Sequence, residues 1–193
     1  MAIQGVIFDL DGVITDTAHL HFLAWKALGD SLGVEITLEL NERLKGLGRQ
    51  ETLTLILKEA RLYDHYTEAE RQALADRKNR TYVASLESLG PQDLLPGIGD
   101  CLQDLKKRGI KIGLASSSQN AGLIIKKLGL EPYFEAMVDP RSLSKGKPDP
   151  EIYLKAAAAL GLSPAKCAGV EDARAGIEAI REAGMTAIAL GQS

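Results

Sequence analysis

Thiols are scarce in this sequence: Cys101 and Cys167 are the two cysteines in 193 residues. They have the spacing of neither metal ligands nor a redox pair, which fits a reducing compartment. Both are expected as small core filler. Charge of one sign is also lacking. Lys and Arg total 23 against 26 Asp and Glu, a net charge of -3, so the basic footprint of a nucleic-acid binder is absent. No apolar run approaches the roughly 18 residues of a membrane span, and residues 1–10 lack a signal-peptide pattern. Repeats and low-complexity tracts are missing too. What is present, 45% hydrophobic and 25% charged residues, is the balance of a globular chain able to bury about 70% of its unfolded surface without a staple. A cytoplasmic protein is expected, with no nucleic acid and no membrane among its partners.

Val6, Ile7 and Phe8 form a short apolar run that stops at Asp9 and reads as a buried strand. The next stretch is helical. Leu20, Leu23, Ala24, Ala27 and Leu28 recur at helical spacing, with Asp16 as N-cap and Gly33 as stop; Leu53, Ile56, Leu57 and Ala60 mark a second helix. Thr67 and Glu70 make a capping-box pattern before a third helical segment that ends near Leu89. After Pro91, helix and strand alternate. Ile98, Cys101, Leu102 and Leu105 give a helical face, and strands are expected over 110–115, 136–138, 167–170 and 186–190. Helix, glycine, apolar residue recurs at Gly109, Gly129, Gly161 and Gly184. Such alternation predicts a doubly wound parallel sheet with ligands at the carboxyl ends of its strands. The expected division is an α/β core over 1–15 and 91–193, interrupted by an all-helical insert over 16–90.

The residues just past each strand are therefore the candidates for chemistry: Asp9-Leu10-Asp11-Gly12, Ser116-Ser117-Ser118, Lys147-Pro148 and Glu171-Asp172. Acidic groups at that density call for a hard cation such as Mg²⁺. Carboxylates, hydroxyls and a lysine together suit phosphoryl transfer, in which the protein mainly positions and neutralises spreading charge. Singly, each has a structural reading: Asp9 or Glu171-Asp172 as helix caps, the serines as a polar turn, Lys147 as a solvated cation.

Asp9-Leu10-Asp11-Gly12-Val13 with Thr17, then Ser116, Lys147-Pro148 and Glu171-Asp172, resembles in order the four motifs of the haloacid dehalogenase superfamily. The match runs along essentially the whole chain. Within that superfamily the sequence is most similar to the β-phosphoglucomutase branch, through Thr15-Asp16-Thr17, His21, Trp25, Lys45-Gly46-Leu47-Gly48-Arg49, Ala115-Ser116-Ser117-Ser118 with Asn120, and Gly146-Lys147-Pro148-Asp149-Pro150. The resemblance implies a Rossmann-like core with a small helical cap. It implies Asp9 as nucleophile and Asp11 as general acid and base, with Ser116 and Lys147 holding the transferring phosphoryl oxygens. Mg²⁺ would be held by Asp9, Glu171, Asp172 and the Asp11 carbonyl. Thr17, His21, Lys45, Gly46, Leu47, Arg49, Ser117, Ser118, Gln119 and Asn120 would contact substrate, with Arg49 on the distal phosphate; relatives often carry lysine where Gln119 stands. Tyr82 and the Arg77-Lys78 pair are expected on a solvated helix face, Trp25 packed within the cap, and His19 and His65 solvated.

The activity so implied interconverts β-glucose 1-phosphate and glucose 6-phosphate, with β-glucose 1,6-bisphosphate as activating intermediate. A sugar-phosphate phosphatase and a non-catalytic phosphosugar-binding protein are the alternatives. The partner is a small hexose phosphate, and the enzyme is expected to be a monomer. The branch continues past the 186–190 strand into another edge strand and a closing helix, whereas this sequence stops at Ser193. The motifs all precede that point, so the chemistry is expected to be intact and one sheet edge less covered.

Overall fold

The computed structural model describes residues 2–44 and 47–191. The chain divides into two compact units: Thr17–Ser88, and Met1–Asp16 together with Leu89–Ser193.

The first unit is helical: α1 (Ala18–Leu32), α2 (Leu38–Leu44), α3 (Arg49–Glu59) and α4 (Glu68–Ser85). Trp25 and Leu28 of α1, Leu40 and Leu44 of α2, Leu53, Ile56 and Leu57 of α3, and Ala75 of α4 form its core. The Thr67 hydroxyl accepts from the Glu70 amide, and the Glu70 carboxylate accepts from the Thr67 amide at 2.8 Å. Both halves of the capping box are thus made. Three expectations change. The short helix α2 is additional, opened by Thr37, whose hydroxyl accepts from the Leu40 amide at 3.1 Å. The N-cap position of α1 falls on Thr17 rather than Asp16, and Thr17 makes no side-chain cap. Its hydroxyl is engaged with Tyr82 Oη at 3.0 Å instead. The third helix stops at Ser85, short of Leu89.

The second unit is built on five parallel strands, β1 (Gly5–Phe8), β2 (Lys111–Leu114), β3 (Ala136–Met137), β4 (Cys167–Glu171) and β5 (Thr186–Ala189), in the order β3-β2-β1-β4-β5. Helices α5 (Ile98–Lys107), α6 (Ala121–Lys127), α7 (Glu151–Ala159) and α8 (Arg174–Glu182) connect them. Every residue of β1 and of β4 is buried. Since successive side chains point to opposite faces, both faces of the central strands are covered. Ile7, Ala115 and Cys167 share one core with Ile152, Tyr153 and Ala156 of α7 and Ala179 and Ile180 of α8. The glycines at 109, 129, 161 and 184 all take positive φ, between 68° and 73°. Cys167 is core filler, but Cys101 is exposed. On α5 the buried stripe runs through Ile98 and Leu102, and Cys101 lies about 100° around the helix from Leu102. No helix among the described residues is long and apolar enough to cross a membrane.

Candidate active site

The sheet is wound outward from β1 in both directions, so its order reverses between β1 and β4, where a crevice opens at the carboxyl ends. Phe8 pairs with Leu114 on one side and Val170 on the other. The next residues therefore emerge in a row. Asp9 N donates to Val170 O at 2.9 Å and Ala115 N to Phe8 O at 2.8 Å.

Lys147 unites this row. It is 1% exposed; its ammonium lies 2.8 Å from Asp9 Oδ1 and also donates to Glu171 Oε1. Tyr153 Oη donates to the same Glu171 oxygen at 3.3 Å, and Glu171 Oε2 accepts from the Ala173 amide at 2.9 Å. Burial works against the charge on Lys147, but Asp9, Tyr153 and Glu171 outweigh it and hold the ammonium well above the usual lysine range. Burial also pushes the Asp9 carboxyl up to about 8; Lys147 opposes this, while Glu171 and Asp11 reinforce it.

The segment after β1 is locked. Leu10 O accepts from the amides of Val13, Ile14 and Thr15, at 3.3, 2.9 and 3.3 Å, and Leu10, Val13 and Ile14 are buried. Gly12 has φ +77°, and a Cβ there would lie 2.2 Å from Asp172 Oδ2. The missing side chain thus supplies both the turn and the room for Asp172 beside it. Asp9, Glu171 and Asp172 each offer a carboxylate oxygen within 4.8 Å of the others. Asp11 is half-buried and its side chain is not in that group. The crowding of three acidic groups, which helps hold the Asp9 carboxyl high, is relieved by a cation, and an all-oxygen donor set suits a hard divalent one. The residues present fit Mg²⁺.

Ser116, buried at the end of β2, accepts from the Ser118 amide at 3.1 Å, and Ser118 Oγ accepts from the Asn120 amide at 3.2 Å. These two turns lead the chain into α6. Ser117, Ser118 and Asn120 are half-buried and Gln119 is exposed.

In the helical unit the expectation of a solvated α4 face over Lys78 and Tyr82 is overturned. Lys78 is 3% exposed and Tyr82 fully buried. Ala75, Lys78 and Tyr82, at i, i+3 and i+7, form the buried stripe of α4. Lys78 Nζ lies 4.7 Å from the Trp25 ring centroid and 4.9 Å from that of Tyr82, and donates to His21 Nδ1 at 2.6 Å. The His21 ring stacks on Tyr82 with centroids 3.8 Å apart. Burial, then Lys78, then Arg49 hold the His21 pKa well below its usual value, so the imidazole is neutral and accepts through Nδ1. Trp25 packs within this unit as expected. His19 and His65 are on its exposed surface. Lys78 was the residue missed, although its spacing from Ala75 and Tyr82 carried the signal. Arg49, at the start of α3, keeps 15% of its side chain exposed and lies 3.8 Å from Asp76 Oδ1. Leu47 is half-buried, its amide donating to Leu44 O at 3.3 Å. Lys45 and Gly46 lie outside the described residues.

A doubly wound parallel sheet with a helical unit inserted after β1, and a carboxylate–lysine cluster at its carboxyl end, is the architecture of a haloacid dehalogenase-type protein. The chain belongs to the haloacid dehalogenase-like hydrolase family, whose profile matches residues 3–184. It is 54% identical over 189 residues to the protein named β-phosphoglucomutase of Bacillus subtilis strain 168, covering 98% of this chain and 84% of the relative. It is 33% identical over 187 residues to a phosphorylated carbohydrates phosphatase of Thermotoga maritima, covering 96% and 83%. Among solved structures, a β-phosphoglucomutase from Clostridium difficile superposes with a TM-score of 0.97 at 42% identity, over 98% of this chain and 85% of that one.

Proposed function

We propose that the protein is a Mg²⁺-dependent β-phosphoglucomutase, interconverting β-D-glucose 1-phosphate and D-glucose 6-phosphate through β-D-glucose 1,6-bisphosphate. The observation that carries this reading is the 54% identity to the Bacillus subtilis β-phosphoglucomutase over nearly the whole chain. The site chemistry agrees with it. An Asp9 oxygen attacks phosphorus, the bond from phosphorus to the sugar oxygen breaks, and an aspartyl phosphate forms. Asp11, two residues on, gives its proton to the departing sugar oxygen and takes one from the incoming hydroxyl in the reverse step. Lys147 and Ser116 hold the transferring phosphoryl oxygens, with Lys147 kept charged by its carboxylate partners. Asp9, Asp172, Glu171 and the Asp11 carbonyl would hold Mg²⁺, which when bound neutralises the charge between carboxylate and phosphoryl group.

A mutase must also grip the phosphate that is not reacting, because the bisphosphate has to be held again with its ends exchanged. Arg49 is the two-pronged donor for that phosphate. Lys45, Gly46, Leu47, Ser117, Ser118, Gln119 and Asn120 complete the grip, and Thr17 and His21 contact the sugar. Phosphorus NMR tests the reading. β-Glucose 1-phosphate with enzyme, Mg²⁺ and the bisphosphate should give the 6-phosphate resonance. A sugar-phosphate phosphatase, the second reading favoured by the Thermotoga maritima relative, would give inorganic phosphate instead.

A further inference from the structure

Tyr153 has no part in the steps above, yet its side chain is 0% exposed and meets two of the groups that do. From α7 its ring lies under the Lys147 ammonium, 5.2 Å from centroid to Nζ, and its hydroxyl donates to Glu171 Oε1 at 3.3 Å. An aromatic face has no lone pair to offer an N–H; it attracts the cation as a whole. Two of the ammonium's N–H groups go to Asp9 Oδ1 and Glu171 Oε1, and the Tyr153 hydroxyl interacts with the ammonium as well.

Glu171 is fixed in the same way. Oε1 accepts from both Lys147 and Tyr153, and Oε2 accepts from the Ala173 amide. The tyrosine hydroxyl occupies the second acceptor direction of Oε1, so both oxygens of the carboxylate are committed. A phenylalanine would fill the same core without a polar atom to bury, so the hydroxyl carries a desolvation cost that its partner Glu171 helps to offset.

We propose that Tyr153 is a positioning residue that locks Lys147 and Glu171 into one preassembled unit, and so fixes the ammonium that holds the transferring phosphoryl oxygens. The proposal rests on the phosphoryl-transfer reading above. Its test uses the full chain with Tyr153→Phe, which keeps the ring, and Tyr153→Leu, which removes ring and hydroxyl. Three quantities are measured: steady-state turnover of β-glucose 1-phosphate, the affinity for inorganic phosphate in Mg²⁺ by calorimetry, and the side-chain ammonium resonances of ¹⁵N-lysine-labelled protein. Losing one hydrogen bond to a charged group should lower kcat about tenfold in Tyr153→Phe with little change in KM. The Lys147 ammonium resonance, slow to exchange at 1% exposure, should broaden. Tyr153→Leu should lower kcat further and weaken phosphate binding. Wild-type kcat and an unchanged Lys147 resonance in Tyr153→Phe overturn the proposal, including when the melting temperature falls, because a packing role alone would give that pattern. If the wild-type protein fails to turn over sugar phosphates, the functional reading fails, while the Lys147 resonance and phosphate affinity still decide the role of Tyr153.

Discussion

Gly176→Ala should damage the carboxylate–lysine cluster although it changes no polar atom. Gly176 lies in α8, where alanine is ordinarily the better residue by about 1 kcal/mol. A Cβ at this position, however, would lie 1.7 Å from Glu171 Oε1 and 2.0 Å from its carboxylate carbon. The carboxylate must then leave a pocket in which Lys147, Tyr153 and the Ala173 amide hold it. Separating a buried charge from its partner costs about 3–5 kcal/mol. Setting the helix gain against that leaves a net loss of about 2–4 kcal/mol, and at roughly 2–4 °C per kcal/mol the melting temperature should fall by about 5–15 °C. Gly99→Ala is the control, since a Cβ there meets nothing within 4 Å and the residue is also helical. It should be neutral or stabilising by up to about 1 kcal/mol. Thermal unfolding followed by circular dichroism compares the two, and phosphoryl transfer should drop only in Gly176→Ala. If Gly176→Ala melts at or above Gly99→Ala, the packing of Glu171 against α8 does not constrain the cluster.

Asp9→Asn should abolish isomerisation and phosphate release while preserving the circular dichroism spectrum, because a carboxamide of the same volume is a poor nucleophile; trapping of an acid-labile phosphoenzyme in this variant would refute the assignment. Asp11→Asn keeps the nucleophile but loses the proton donor, so single-turnover transfer should slow by about 10²–10⁴-fold with substrate affinity better preserved. Arg49→Ala should weaken bisphosphate binding by about ten- to a hundredfold, the loss of roughly 1.5–3 kcal/mol from a charge-assisted contact, and should shift product from isomerised sugar toward inorganic phosphate; equal losses of both would place Arg49 away from the distal phosphate. His21 gives a pH signature: the unfolded chain takes up a proton near the ordinary value of 6.5 that the folded imidazole refuses, so this contribution to stability is complete above that pH and falls away below it. His21→Gln should lack that decline, and the difference between the two denaturant-unfolding series from pH 7 to pH 5 isolates it; parallel curves would show that His21 protonates freely in the folded protein.

Local pattern alone determined much of this protein. The apolar run ending at Asp9, the capping box at Thr67 and Glu70, and the glycine that follows each of α5, α6, α7 and α8 are signals carried within a few residues, so the strands, most of the helices and the parallel sheet could be read directly. The candidate residues at strand ends followed from the same rule, because the carboxyl ends of parallel strands share one edge of the sheet. Tertiary structure decided which of those residues pair. Lys147 comes from the segment before α7 and Glu171 from the last position of β4, and nothing in their spacing says that one ammonium bridges Glu171 to Asp9, or that Tyr153 lies under it. The same limit explains Lys78. Beside Arg77 it reads as one more solvated cation, and only the rotation of α4, with Trp25 and Tyr82 about the ammonium, takes it out of water. Cys101 errs in the opposite sense: it stands at the margin of an apolar stripe and remains exposed. Periodicity tells which face of an element turns inward, but whether a charge can be buried there depends on partners distant in sequence that offset its desolvation.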